Sequence, residues 1–364
     1  MKWILVILCC WLLPGIIWGA ENHRYSGAET LIQDTVWEGE VIIDGILTVA
    51  AGVTLEIRPG TIVRFTKFDS NHDGVGEHEI FSQGTILALG TENKPILFTS
   101  AEPAPASGDW GAINMMVSEE NNRLEHCIIE FGYRGFHAHF SKAELLDTRF
   151  RYNLRGAQFQ ESRVLIAGCQ FTDNTNGLQF RDSQVTLSKN VIARSQWGVR
   201  CVYSDVIMTD CTIEDNLVNG INVRDGKLIA KGNLIVGNRR GLYVQRSQAE
   251  IVGNVLRNNS EHGIFLEDSD VYIGENRITG NGRAGVRWVN GKGKMTHNLV
   301  TKNGLYGLIN DGTEPVDARQ NWWGSDNLNL IALTIRDGQD RPGLGLTDYR
   351  DPLVRPLEPP NKRE

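Results

Sequence analysis

An all-β solenoid of stacked coils, 21 or 22 residues to a coil, is the fold class this sequence predicts, and three observations predict it. Glycine recurs in step at Gly135, Gly156, Gly177, Gly198, Gly220, Gly241, Gly263, Gly285 and Gly307. Apolar residues keep the same beat, one after each glycine (Phe136, Ala157, Leu178 through Leu308) and fifteen after it (Phe150, Phe171, Ile192, Ile213, Ile235, Leu256, Ile278, Val300 and Trp322). Asparagine follows at eighteen, as Asn153, Asn174, Asn216, Asn238, Asn259, Asn281 and Asn303, with Ser195 substituting once. A fixed period in this range marks a unit that buries its apolar face only by stacking on copies of itself.

One coil illustrates the physics. From Gly220 to Asn238, Ile221 and Val223, then Leu228 and Ala230, then Ile235 alternate with polar residues, which is the period of strands with one buried face. Asp225-Gly226 and Gly232-Asn233 break the alternation as corners. Each unit therefore predicts about three short strands, and successive coils stack at roughly 4.8 Å, the strand spacing of a sheet. The corner asparagines suit the left-handed conformation and bond neighbouring backbone. A second such row lies thirteen after the glycine, at Asn190, Asn233, Asn254, Asn276 and Asn298, with Cys169 and Cys211 substituting. A leucine-rich repeat shares the period, but its core demands leucine at fixed positions. Here Val, Ile, Phe, Ala and Cys share the core rows, which favours strands on every side. No stretch keeps a 3.6-residue period, so no helix is expected.

Along the chain, residues 1–20 carry the pattern of a targeting segment: Lys2, the apolar run Trp3 to Leu13, and a small-residue end at Gly19-Ala20. No later run is long enough to span a bilayer. An exported chain with no membrane span after cleavage is the expectation, and the full sequence's net charge of −7, one unit more negative once Lys2 is removed, argues against nucleic acid. Residues 21–110 read as an N-terminal cap and early coils. Glu21 to Trp37 is the capping lead-in, followed by the alternating phrases Val53-Thr-Leu-Glu-Ile and Thr61-Ile-Val-Arg-Phe. Regular coils occupy 111–324, a C-terminal cap 325–351, and a Pro-rich charged tail, expected to be disordered, 352–364. Trp322 is expected to continue the inner row and close the core with Trp323. Cys127, Cys169 and Cys211 lie two coils apart, beyond disulfide reach, and predict buried free thiols.

An acidic insert, 69–79, interrupts the early coils. Asp69, Asn71, Asp73 and Gly74 match the opening of a calcium loop, in which alternating oxygens wrap a hard cation. The closing acid of an EF-hand would fall at Ile80, so Glu77 or Glu79 is left to close a shorter loop. Calcium is the one cofactor the sequence suggests.

The 21/22-residue Gly/Ile/Asn ladder, the Asn321-Trp322-Trp323-Gly324 close and the phrases GVTLEIRPGTIVRF, GTILALGT and GDWGAI resemble the right-handed parallel β-helix superfamily that includes pectate lyases and exported bacterial envelope proteins. The resemblance covers roughly residues 36 to 350. It implies a right-handed, single-stranded parallel β-helix whose members commonly bind or cut polysaccharides on the outer face of one sheet. The catalytic motifs are missing: there is no Gly-His-Gly, Arg-Ile-Lys or Asn-Thr-Asp of polygalacturonase-like hydrolases, and no Asp-Pro-His-Asp of the alginate-epimerase type. A metal-maturation protein of the NosD kind shares the repeats, yet no dense Met/His cluster supports copper.

On the strand after each glycine, the second and fourth positions face outward. Read down the stack they give His137, Gln158, Gln179, Arg200, Asn222, Tyr243, Phe265 and Arg287, and beside them His139, Gln160, Arg181, Arg224, Gln245 and Glu267. Amides and arginines bond sugar hydroxyls and carboxylates, and Tyr and Phe stack on sugar faces. Gln158, Gln179, Arg181, Arg200, Arg224, Tyr243, Phe265 and Arg287 are the candidate glycan contacts. Exposed Phe265 and Ile309 would also permit assembly through this face. Asp182, Asp225 and Asp268, two coils apart, are expected as corner acids rather than as a catalytic pair. The predicted function is non-catalytic binding or scaffolding of a cell-envelope polysaccharide, the competing one a carbohydrate-active enzyme on the same face.

Overall fold

A computed structural model describes residues 23–118 and 121–356; the expected targeting segment, 1–20, and residues 357–364 of the tail lie outside the described residues. The chain winds into about 13 turns of parallel β-solenoid. Three sheets run the length of the stack. The first is the glycine sheet, with strands such as Asn176–Arg181, Trp197–Val202 and Arg240–Gln245. The second contains Gln184–Ser188 and Lys227–Lys231, and the third the three-residue strands Val191–Ala193 and Thr212–Glu214. All strand pairings in the three sheets are parallel and in register with the repeat: Leu178, Val199, Ile221 and Leu242 sit over one another, as do Ile192, Ile213 and Ile235. Like side chains therefore meet like. The core is a set of columns, in which Phe150 and Phe171 stack 4.6 Å apart at 4° and Ile213, Ile235 and Leu256 are fully buried.

Each coil turns three corners, and each corner uses one left-handed residue. In a single coil these are Asp182, Lys189 and Arg194, with φ of 49°, 54° and 50°. The next residue turns its side chain inward: Ser183, Asn190 and Ser195 are all buried. This corrects the sequence-based assignment of the left-handed conformation to the asparagines themselves. The corner backbone faces solvent, where any short detour is tolerated. The inward amide one residue later both donates and accepts: Asn254 bonds backbone groups of its own and the preceding coil and the amide of Asn276 in the next. A third ladder, of serine, joins the two of asparagine: Ser141, Ser162, Ser183 and Ser204 each offer Oγ to the backbone N–H one coil earlier, at 3.1–3.2 Å.

The recurrent glycines are not left-handed either. At Gly135 the pairing skips: Arg134 pairs with Arg155 and Phe136 with Ala157. A Cβ on Gly198 would lie 2.4 Å from the carbonyl oxygen of Gly220. The column needs hydrogen because backbone meets backbone there.

The ends differ from the regular coils. His23–Leu31 pairs residue by residue with Val41–Val49, so the lead-in is itself the first rung. At the other end Asn321 joins the asparagine ladder 23 residues after Asn298, and Trp322 forms an isolated bridge with Leu299. The longer coil shifts the inner position by one. Trp323 is buried at 4 % exposure and Trp322 is not, which corrects the expected register. A five-residue helix, Leu328–Ala332, follows, where the sequence led us to expect none; it is capped by Asn327 and plugs the core with Ile331. No helix of the described residues is long and apolar enough to cross a membrane. All four described cysteines are buried and free, and burial raises their thiol pKa values, that of Cys211 to about 11.

Candidate functional site

The outer face of the glycine sheet collects most of the predicted contact residues. Because the backbone skips at each glycine, the residue before it and the second residue after it both point outward. Two adjacent columns result. One holds Arg134, Arg155, Asn176, Trp197, Asn219, Arg240 and His262, and the other Asn114, His137, Gln158, Gln179, Arg200, Asn222, Tyr243, Phe265 and Arg287. The second column is legible in the sequence and the first is not, although it keeps the same spacing. Strict alternation predicts an inward side chain before each glycine, and the skip overrides it.

The predicted residues occupy different states. Gln158 is buried and accepts from Arg155 Nη1 at 2.7 Å, while Gln179 is half-buried. Arg181 is exposed and pairs with its neighbour Asp182 at 3.1 Å; Arg224 lies 3.5 Å from Asp225. Arg200 is exposed, lies over the Trp197 ring at 5.5 Å and forms no ion pair with a described residue.

Further along, Tyr243 and Phe265 stack 4.7 Å apart at 8°, and Tyr243 Oη donates to Glu267 at 2.6 Å. Burial and the Glu267 carboxylate raise the phenol pKa to about 12. Arg240 lies over both rings, Arg287 covers Phe265 at 4.9 Å and is held by Asp311 at 2.9 Å. Phe265 is only 8 % exposed and Ile309 6 %, which corrects the expectation that both are open to a partner. The cause is lateral: long arginine stems lie flat along the sheet and cover the rings. His262 beside them is buried, and burial with the nearby arginines lowers its pKa to about 4.

Toward the N-terminal end the face carries a connected polar set. Asn114 Nδ2 faces the Glu79 carboxylate at 3.4 and 3.5 Å, and His137 Nδ1 meets Asn114 Oδ1 at 2.9 Å. Burial raises the Glu79 pKa to about 6, and burial with Arg134 and other cations lowers that of His137 to about 4. Arg134 and Arg155 both stack on Tyr133, at 4.7 and 5.1 Å. Glu79 thus stands apart from the insert with which it was grouped as a calcium candidate.

Within the insert, Asp69 accepts the backbone N–H groups of Asp73 and Gly74, Asn71 Oδ1 accepts that of Asp73, and Asp73 Oδ1 that of Val75. Glu77 accepts from Ser70. These oxygens thus bond the loop's own backbone. Among the described residues, three acidic or histidine ligand atoms lie within 4.8 Å of one another at Glu125, His126 and Asp147. Asp182, Asp225 and Asp268 are left-handed corner residues, and Asp225 is held by Arg246 at 2.7 and 2.9 Å.

The right-handed beta helix region family matches residues 109–227, 159–303 and 243–323, together more than half of the chain, and the pectate-lyase like beta helix domain family matches residues 29–137. Among solved structures, the periplasmic alginate epimerase AlgG aligns at 15 % identity and a TM-score of 0.40, over 86 % of this chain and 76 % of that one. The Azotobacter vinelandii mannuronan C-5 epimerase AlgE4 A-module aligns at 12 % identity and 0.38, over 84 % and 91 %. The catalytic unit of a GH87 alpha-1,3-glucanase from Streptomyces thermodiastaticus aligns at 11 % and 0.41, over 92 % and 63 %. No curated protein sequence matches the chain. The chain belongs to the right-handed β-helix family.

Proposed function

We propose that this protein is exported and binds an acidic polysaccharide along the outer face of the glycine sheet, as a non-catalytic binding or scaffolding component of the cell envelope. The observation that carries the proposal is the pair of outward columns, which repeat amides, arginines and aromatic rings coil after coil. Arg200 and Trp197 form the most open part of that face, a cation without a counter-ion beside an indole, which suits a carboxylate on a sugar ring. Export rests on the targeting pattern of residues 1–20. Binding of acidic oligosaccharides by Arg200→Ala and Tyr243→Ala variants tests the track. Arg200→Ala is expected to weaken binding about tenfold, the loss of one charge-assisted contact. Unchanged binding by both variants removes the track.

A catalytic reading is supported by one observation: Glu79, with a carboxyl pKa near 6, shares the face with neutral His137. Release of products from uronate-rich polysaccharides by the native chain, and its absence in Glu79→Gln, would favour an enzyme over a binder.

A further inference from the structure

We infer that the N-terminal end of this face is a discrete subsite for a hydroxy-carboxylate unit, with Arg134 and Arg155 taking the carboxylate and His137 Nε2 accepting from the adjacent hydroxyl. The inference rests on the reading of the face as a glycan track, and it locates on that track a position the glycan contacts predicted from the sequence did not include.

The hydrogen-bond pattern fixes the histidine tautomer. Asn114 turns its Nδ2 to the Glu79 carboxylate, so its Oδ1 is the end that meets the ring. An amide oxygen only accepts, and therefore His137 Nδ1 carries the proton and donates at 2.9 Å. Nε2 is left as a bare lone pair. It is buried, it has no partner, and the residue is 7 % exposed. A buried acceptor without a donor is unfavourable, and a ligand hydroxyl would satisfy it. The ring stays neutral at neutral pH, because burial and the flanking cations hold its pKa near 4. A ligand hydroxyl thus meets an acceptor there and not a second donor.

The cations supply the other half. Arg134 and Arg155 are neighbours across one coil and lie over the same Tyr133 ring. Neither forms an ion pair with a described residue. Arg134 Nε is buried without a partner, while Arg155 Nη1 is used by Gln158. Two guanidinium groups braced on one ring, with open donor positions, match the planar fork of a carboxylate. Glu79 shares this end of the face through Asn114, and its charge competes with an incoming anion. Gly76 N–H donates to Gly108 O at 2.7 Å, and Gly108 lies against Leu154, the residue before Arg155, so the acidic insert is tied to the chain close in sequence to this end of the face. A group with a hydroxyl and a carboxylate fixed on one ring, as in a uronate, satisfies both halves.

Isothermal titration of the full-length protein with tetragalacturonate, its methyl ester and free glucuronate tests this. Native protein should bind the acid at least about tenfold more tightly than the ester, which keeps the hydroxyls and loses the charge. Arg155→Gln and His137→Gln should each weaken binding of the acid about tenfold, Arg155→Lys by less, and Glu79→Gln should tighten it. Melting followed by circular dichroism checks that each variant is folded. If the native chain binds tetragalacturonate but Arg155→Gln and His137→Gln bind it equally well, the subsite is overturned and the wider track stands. Free glucuronate bound as tightly as the tetramer, and lost in Arg155→Gln, supports the subsite and removes the extended track. No binding of any of the three acids or esters overturns both.

Discussion

Asn254 Nδ2 donates to Asn276 Oδ1 at 2.9 Å, and the same oxygen accepts the backbone N–H of Asn254 at 2.8 Å. One amide oxygen thus clips both ends of the residue stacked on it. The two Nδ2 hydrogens of Asn254 are shared with Ala230 O in the preceding coil, at 2.9 Å, and Val252 O, at 3.1 Å. The ladder spans three coils per residue, and Asn254 itself is fully buried.

Asn254→Ala therefore leaves the backbone N–H of Asn233 without its acceptor and the carbonyl of Ala230 without a side-chain donor. About 1–3 kcal/mol is expected for each buried group left unmade. Urea titration followed by circular dichroism should move the midpoint clearly, and Asn254→Thr should recover part of the loss, because threonine stands in the same row at Thr148, whose Oγ1 accepts the backbone N–H of Cys127 at 3.2 Å.

Ile235→Ala removes a fully buried side chain from the column between Ile213 and Leu256. A loss of about 2–5 kcal/mol is expected. Leu217, 75 % exposed at a corner, is the control, and Leu217→Ala should stay within about 0.5 kcal/mol. Equal effects at the two sites would place the inner column wrongly.

Gly198→Ala tests the close approach. The added methyl would sit 2.4 Å from Gly220 O and 3.0 Å from the Asn216 amide. Destabilisation of roughly 1–3 kcal/mol is expected from overpacking. At Gly52 a Cβ meets nothing within 4 Å but φ is +78°, so alanine there should cost about 1 kcal/mol through backbone conformation alone.

Acid should weaken the fold through His262. Burial comes first and Arg287 and Arg240 second in lowering its pKa from 6.5 to about 4, while Glu261 acts in the opposite direction. The folded protein then binds the proton less readily than the unfolded chain. The stability that the neutral ring contributes is present above pH 6.5 and is lost as pH falls through about 4. At most about 3 kcal/mol is at stake. Melting temperatures of native protein and His262→Gln, compared between pH 7 and pH 4, should converge as the pH falls; parallel curves would say that the ring is not buried as described.

The period of this chain determined its architecture. Gly135 to Gly307 fixes the coil length, and Ile192, Ile213 and Ile235 must stack if each coil lies on the last. Local spacing carries that information completely, because neighbours in space are neighbours one period apart. The same logic made Asn216 and Asn254 legible as ladder residues, yet not the left-handed residue before each, since any side chain is accepted at a solvent-facing corner.

Only the tertiary structure decided what the outer face offers. The skip at each glycine brings Arg134 and Arg155 beside His137, against strict alternation. Side chains from neighbouring coils then settle which rings stay open: Arg240 and Arg287 seal Phe265, while Trp197 and Arg200 remain accessible. A repeat specifies where a side chain starts, but where a long flexible side chain comes to rest depends on the charges and rings it meets across coils, and no period encodes those.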